Sequence, residues 1–408
     1  MVVRTYKFRL YPNEKQQKKL LQNFRICKEV YNSLLAESRK LWTTRRFDFN
    51  LLVKDMKITC PKYYSRAYSQ VLQNVSDRLT KSFMNFFRRI KEKKSGKKLK
   101  VGFPRFKSRI ISITYPQSGF RIIKGNRLYA SKIGNLPVKL HRVMKGKIKT
   151  MTLKRNNANQ WFAYFTCETE KKKTKHCFKK HVGIDVGIES FAVFSNGELI
   201  DNPKHLFKSE QKLKKFQRKL SRKKKKSNNR KIARIKVARQ HNNIVNQRQD
   251  FLHKLSNKIT KSYSFIAVEN LTITNMVKNH CFAKHINDAS WGTFIQMLSY
   301  KAVACGGQLV KVNPRGTTTN CSNCGSKQEM PLSTRIYDCP NCGIVLHRDV
   351  NSARNILDYS RAGQARTYTP VDRFAYAFPF SRKVSKLEEA GTTRDEPSKA
   401  TDAGSHAL

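Results

Sequence analysis

Two pairs of cysteines stand at metal-ligand spacing: Cys321-Ser-Asn-Cys324 and Cys339-Pro-Asn-Cys342, with 14 residues between them. Each CxxC sets two thiolates on one tight turn, and the glycines that follow, Gly325 and Gly343, permit the left-handed backbone that such a knuckle needs. Four thiolates fill a tetrahedral Zn²⁺ shell and leave no open position, so the predicted role is structural rather than catalytic. Spacing alone also admits an iron–sulfur centre. A thioredoxin-like redox pair would need a βαβ context, which is missing around these cysteines.

Three acids carry the second piece of chemistry. Asp185 lies inside the apolar run His181-Val-Gly-Ile-Asp185-Val-Gly187, Glu269 closes the apolar run Phe265-Ile-Ala-Val-Glu269, and Asp349 opens a helical pattern just past the cysteines. A carboxylate at the end of a buried strand is costly unless a cation meets it. Three carboxylates brought together repel one another, and divalent Mg²⁺, which prefers oxygen ligands, resolves that conflict. Two such ions can activate water and stabilise the leaving oxygen of a phosphodiester. Taken singly, each acid has a plainer reading: an N-cap for Asp349, an arginine partner for Glu269, a phosphate-cradling hairpin for the Gly-Ile-Asp-Val-Gly run.

The background makes these acids conspicuous. The 408 residues carry 84 Lys+Arg against 27 Asp+Glu, a net charge of +57. Such an excess on folded bodies calls for a polyanionic partner, which points to nucleic acid. Of that charge only +2 falls in residues 361–408, where eight Lys+Arg meet six Asp+Glu. No run of about 18 apolar residues is present to span a membrane. The scattered cysteines and the lack of a secretory leader predict a reducing, cytoplasmic setting.

The elements that must position these residues follow from periodicity. Residues 4–10 alternate Tyr6, Phe8 and Leu10 with Lys7 and Arg9, which predicts a strand, and Asn13 caps a helix running to about Leu41. Further helices are predicted near 49–58 and 66–93. Short strands at 111–115, 127–130, 138–140, 147–153 and 160–168 predict a small barrel, with residues 13–95 as a helical insertion. After a basic linker at 171–180, three strands (181–187, 191–194, 198–200) precede a stretch at 204–261 with 21 Lys+Arg and two acids. Strands at 265–271 and 308–313 and helices at 291–305 and 349–359 complete a βββ-α-β-α-β-α order, which predicts an RNase H-type α/β layer fold. From residue 361 the pattern fades, and a disordered tail is expected.

The ordered set of motifs, Gly183-Ile-Asp-Val-Gly187, Asn246-Gln-Arg-Gln-Asp250, Val268-Glu-Asn270, the two CxxC pairs and His347-Arg-Asp349-Val-Asn-Ser-Ala-Arg-Asn, resembles the TnpB family, the RNA-guided nucleases of bacterial insertion sequences related to type V CRISPR effectors. Gly102-Phe-Pro-Arg-Phe-Lys107 and Tyr6-Lys-Phe-Arg-Leu-Tyr-Pro12 fit the same pattern, so the resemblance covers about residues 1–360. It implies a multidomain α/β and β protein. An RNase H-like RuvC nuclease domain (181–320 and 344–360) is split around a zinc ribbon (321–343), and a wedge β-barrel (1–12 and 96–170) carries a helical recognition module (13–95). Asp185, Glu269 and Asp349 would bind catalytic Mg²⁺, with a guide RNA and double-stranded DNA as partners. Gln73 falls on the family's Leu-Gln dipeptide and would touch the short motif beside the DNA target, or else is a solvated Gln on a packed helix. Arg335 and Arg348 are further candidates for nucleic-acid contact. The rival readings are a nuclease-inactive RNA-guided repressor and a strand-joining transposase. The intact acids weigh against the first. The lack of a nicking transposase's His-hydrophobic-His motif weighs against the second.

Overall fold

The computed structural model describes residues 2–40, 49–170, 180–331, 334–362 and 366–367. The chain opens with strand β1 (Val2–Leu10), then helices α1 (Glu14–Lys40), α2 (Phe49–Thr59), α3 (Pro61–Tyr64) and α4 (Ser69–Lys94). Six strands follow: β2 (Ser112–Tyr115), β3 (Phe120–Ile123), β4 (Arg127–Ala130), β5 (Gly134–Lys139), β6 (Lys147–Arg155) and β7 (Trp161–Thr169). With β1 they form one seven-stranded sheet in the order β2-β6-β7-β1-β5-β4-β3. The two end strands are consecutive in the chain and joined only by residues 116–119, so the sheet curls into a nearly closed barrel. β1 and β7 pair antiparallel from Val2↔Thr169 to Leu10↔Trp161. Period-two alternation turns Tyr6, Phe8 and Leu10 inward with Trp161, Ala163, Phe165 and Cys167.

The helices interrupt this sheet between β1 and β2, as the periodicity predicts. Asn13 starts α1 with a reciprocal cap: Gln16 N donates to Asn13 Oδ1 (2.9 Å) and Asn13 N donates to Gln16 Oε1 (3.0 Å). Leu20, Phe24, Cys27, Tyr31 and Leu34 of α1 and Val71, Val75, Leu79 and Phe83 of α4 share one continuous core with the barrel interior. The short helix α3 was not in the sequence reading, and β5 starts four residues earlier than expected. Strand β3 was not expected, because Phe-Arg-Ile-Ile lacks alternation; it pairs with β4 across a turn in which Gly125 and Asn126 both adopt positive φ. Leu41, expected at the end of the first helix, lies outside the described residues, as does the linker at 171–179.

The second body begins with β8 (His181–Asp185), β9 (Ser190–Phe194) and β10 (Leu199–Asp201), an antiparallel meander. Helices α5 (His205–Ser221) and α6 (Asn228–Ser262) form the basic hairpin. It is anchored by a half-buried ion pair, Arg248 Nη2 to Asp288 Oδ1 at 2.6 Å, and the other Asp288 oxygen accepts from Leu206 N at 2.9 Å. Then come β11 (Phe265–Glu269), α7 (Ile273–Met276), α8 (His280–Ala289), α9 (Trp291–Ala304), β12 (Gln308–Val312), the short hairpin β13 (Ile336–Asp338) and β14 (Val345–His347), α10 (Arg348–Arg361) and β15 (Arg366–Thr367). The sheet order is β10-β9-β8-β11-β12-β15, with β8, β11 and β12 parallel. Helices α7 and α8 add to the expected order. Of the residues expected in the tail, Arg361 belongs to α10 and Arg366–Thr367 pair with the edge of β12. That edge offers unpaired backbone groups for a strand to fill. The remaining tail residues lie outside the described ones.

Three layers result. On one face Val182, Ile184, Ile266 and Val268 pack against Leu252, Leu255 and Ile259 of α6 and Phe294 and Leu298 of α9. On the other, Ala267 and Val312 meet Ile356 of α10. Gly183, paired with Ala267, makes the close approach possible. A Cβ there would stand 2.0 Å from the Ala353 carbonyl oxygen and 2.9 Å from Leu357 N, both backbone atoms of α10. Gly183→Ala is therefore expected to destabilise by about 1–3 kcal/mol through overpacking. Gly102→Ala, which meets open space, serves as control. Thermal unfolding of both variants checks this.

Candidate active site and metal centre

The same face of the sheet carries the acids. Gly183 and Asp185 alternate with Ile184, and Ala267 and Glu269 with Val268, so both carboxylates project toward the α10 side. They close adjacent parallel strands, at the carboxyl-end edge where ligands bind in open α/β sheets. α10 brings the third acid. His347 caps the helix, its Nδ1 accepting from Asp349 N at 3.2 Å. Asp349 is therefore not the cap, and its carboxylate makes no hydrogen bond or ion pair among the described residues. All three acids are half-buried.

Electrostatics joins them. The Asp185 pKa is pushed well above the ordinary carboxylate range, first by desolvation and then by repulsion from Glu269 and Asp349; the Val186 amide and Arg348 oppose this. Burial also raises Glu269, against a hydrogen bond from Thr317. These are carboxylates crowded without a neutralising partner, the donor chemistry that a hard divalent cation fits. Their oxygens are not, however, drawn as close as the cysteine sulfurs: among the described residues, only the four cysteines bring three or more ligand atoms within 4.8 Å of one another.

The arginines sit nearby with different engagements. Arg348 Nη1 donates to the carbonyls of Pro331 (2.9 Å) and Thr334 (3.2 Å), bracing the ribbon, while its buried Nε has no partner. Arg335 is exposed and reaches Glu189 Oε2 at 2.6 Å, in the turn that follows Asp185. Gln73 lies far along the chain, exposed on α4 beside the buried Leu72. The sequence reading missed Thr317, which is fully buried and donates from Oγ1 to Glu269 Oε1 at 2.6 Å. Nothing in Pro314-Arg-Gly-Thr-Thr-Thr-Asn320 sets one threonine apart before the fold does.

The cysteines form the second centre. Cys321 and Cys342 sulfurs are 3.6 Å apart, as are those of Cys324 and Cys339. That is far too long for a disulfide and matches the edge, about 3.8 Å, of a tetrahedron with Zn–S near 2.3 Å. Both knuckles close as predicted. Gly325 (φ 76°) and Gly343 (φ 68°) donate to the carbonyls of Cys321 and Cys339, each at 2.9 Å. Ser326 lies between two sulfurs, 3.1 Å from Cys324 and 3.2 Å from Cys339. Its hydroxyl is the leading cause that lowers both thiols, Cys324 to about 5. Burial instead pushes Cys321 up to about 11. The donor set, spacing and geometry fit a structural zinc.

Replacing Cys321 and Cys324 together with Ser is expected to remove stoichiometric zinc and lower the unfolding temperature in the same sample. Elemental analysis beside thermal unfolding checks this; full zinc content in the double variant would refute it.

With this geometry in place, the relatives are informative. Residues 164–280 match the OrfB/IS605 family model described as "Probable transposase", and residues 291–356 match "Cas12f1-like, TNB domain". Residues 1–46 match a model described as "Helix-turn-helix domain", although the described part of that stretch is strand β1 followed by the single helix α1. A Streptomyces pristinaespiralis protein named "Putative RNA-guided DNA endonuclease" is 34% identical over 377 residues, covering 89% of this chain and 91% of that one. An Escherichia coli K12 protein of the same name, InsQ, is 29% identical over 379 residues, covering 87% and 92%. A solved Cas12f1-sgRNA-target DNA complex aligns loosely, with a TM-score of 0.34 at 16% identity over 88% of this chain and 99% of that one. Among the described residues no helix is long and apolar enough to cross a membrane. The identity to the Streptomyces protein along nearly the whole of both chains, together with the two central family matches, places this chain in the TnpB (OrfB) family.

Proposed function

We propose that the chain is an RNA-guided DNA endonuclease that hydrolyses phosphodiesters at Asp185, Glu269 and Asp349. The observation that carries this reading is the placement of Asp185 and Glu269 at the carboxyl ends of adjacent parallel strands, on the face to which α10 brings Asp349. In this reading residues 181–320 and 344–360 are the RNase H-like RuvC nuclease, 321–343 its zinc ribbon, 1–12 and 96–170 a wedge barrel, and 13–95 a recognition module. The three carboxylates would hold Mg²⁺, two ions in all. Mg²⁺ held by these residues would supply a lowered pKa for water and charge compensation on the phosphodiester oxygens. The chain's own part is to fix three oxygen donors at the ends of β8 and β11 and the start of α10. Arg335, exposed beside the turn after Asp185, is placed to meet a phosphate once it leaves Glu189. Arg348 acts on the ribbon backbone and only through its charge on Asp185.

In this reading a guide RNA would lie between the barrel and α6. Arg9 and Arg155 on the barrel feel the like charges of Arg239 and Arg234 on α6. Buried Arg9 Nη1 and Arg155 Nε lack hydrogen-bond partners. No ion pair crosses from barrel to hairpin among the described residues. A polyanion between them would satisfy these cations, and binding of that kind weakens steeply with salt. Target sequence would then be read by base pairing, with the protein reading only a short adjacent motif, for which exposed Gln73 is the candidate.

The expected outcome for Asp185→Ala is loss of Mg²⁺-dependent cutting of guide-matched DNA, with RNA retained on the purified protein. Sequencing that RNA and assaying cleavage of a matched duplex checks both. Residual cutting by the variant would displace Asp185 from the site, and heterogeneous cellular RNA would displace the guided reading.

A further inference from the structure

A chain of buried polar contacts runs from the zinc knuckle to one of the acids. Asn351 of α10 grips the knuckle on both sides: its Oδ1 accepts from Ser322 N at 2.8 Å and its Nδ2 donates to Asn320 O at 2.8 Å. One turn along, Asn355 Nδ2 donates to Asn320 O at 2.6 Å and to Thr317 O at 2.9 Å. Ser352 Oγ donates to Thr318 Oγ1 at 3.2 Å. At the end of the chain, Thr317 Oγ1 meets Glu269 Oε1.

Thr317 and Asn351 are fully buried, Ser352 is 1% exposed and Asn355 3%. Buried amides and hydroxyls are expensive unless satisfied. Here they are satisfied by the loop that leaves β12, so the polar face of α10 fixes that loop as a unit. The Thr317 hydroxyl has one proton and two acceptors in reach, Glu269 at 2.6 Å and the Pro314 carbonyl at 3.0 Å. The shorter, charge-assisted bond to the carboxylate takes it.

We propose that Thr317 is a positioning residue for Glu269, and that the cysteine knuckle sets its place through Asn351 and Asn355, so that the ribbon aims a carboxylate toward the divalent cation. This rests on the carboxylate reading above and adds the residue that orients one ligand. Groups that hold a metal-ligating carboxylate from behind typically carry about 10–100-fold in metal affinity.

The test uses the full-length, nuclease-treated protein and Mn²⁺, an oxygen-preferring divalent cation, with bound and free ion counted by electron paramagnetic resonance. Thr317→Val, close to Thr in shape but without the donor, is expected to weaken Mn²⁺ binding about tenfold while zinc content stays at the wild-type level. Thr317→Ser is expected to bind as wild type. Should the Val variant fold poorly, the pair Thr317→Ala and Thr317→Ser isolates the hydroxyl, and a tenfold gap between them supports the proposal. Wild-type affinity in a variant lacking the hydroxyl, alongside loss in Asp185→Ala, would overturn this proposal alone. Wild-type protein that binds no Mn²⁺, or binding unchanged in Asp185→Ala, would overturn the carboxylate reading and this proposal with it.

Discussion

The close approach of α10 to β8 is the constraint from which the rest follows. Helix and sheet normally keep side chains between them. Here Gly183 removes one, and the Ala353 carbonyl occupies the space where a Cβ would stand. Paired with Gly183, Ala267 keeps the bed shallow on the neighbouring strand. The helix can then lie low over β8 and β11 and start beside their ends, which are the ends that carry Asp185 and Glu269. Three acids separated by about 80 residues each in sequence come to one edge of the sheet, and the missing side chain at Gly183 lets the helix that carries the third lie close to the strand that carries the first.

What gathers there runs against the composition of the whole chain. With 84 cationic side chains available, neutralising three carboxylates by ion pairs would be easy. The neighbouring arginines are turned to other tasks: Arg348 to the Pro331 and Thr334 carbonyls, Arg335 to Glu189. The leading influences on Asp185 are desolvation and two other acids. Where acids do serve the scaffold they are paired, as Asp288 is with Arg248 or Glu210 with Lys284 and Lys214. The contrast between paired scaffold acids and this set is what supports the proposed cation site over ordinary surface electrostatics.

Much of this is legible in the amino-acid order. Alternation of Tyr6, Phe8 and Leu10, the Asn13 cap and the 3.6-residue repeat of α1 and α4 each express a local preference that the packing did not override. The three acids stood out because each interrupts or ends an apolar run. Glycine within Val-Gly-Ile-Asp gave a weaker sign, since an isolated glycine in a strand pattern marks either a bulge or a close backbone approach, and only the helix on top decides. Strand β3, the two short helices before α9 and the Arg366–Thr367 edge pairing were not readable. They are short, and their stability comes from neighbours distant in sequence rather than from their own pattern. Thr317 belongs to the same class: a threonine among threonines until the buried face of α10 selects it.

The position of the ribbon gives its closed metal set a purpose beyond local stability. The excursion leaves the sheet after Val312 and returns at Arg348, and both points lie at the carboxylate edge. Strand pairing of Ile336 with His347 carries the ribbon directly into the cap of α10, so the residue that starts the helix is held by the hairpin on one side and by the helix on the other. A long loop in this place would have to order itself each time the site formed, at a cost in conformational entropy for every residue. A tetrahedral thiolate cluster fixes the two knuckles against each other instead. Tyr337, fully buried, packs with Cys321 and Cys339. The acid at the head of α10 and the threonine behind Glu269 thus hang from the two ends of one small insert, and under the proposed function a centre with no open coordination position would still help to set where the carboxylates lie.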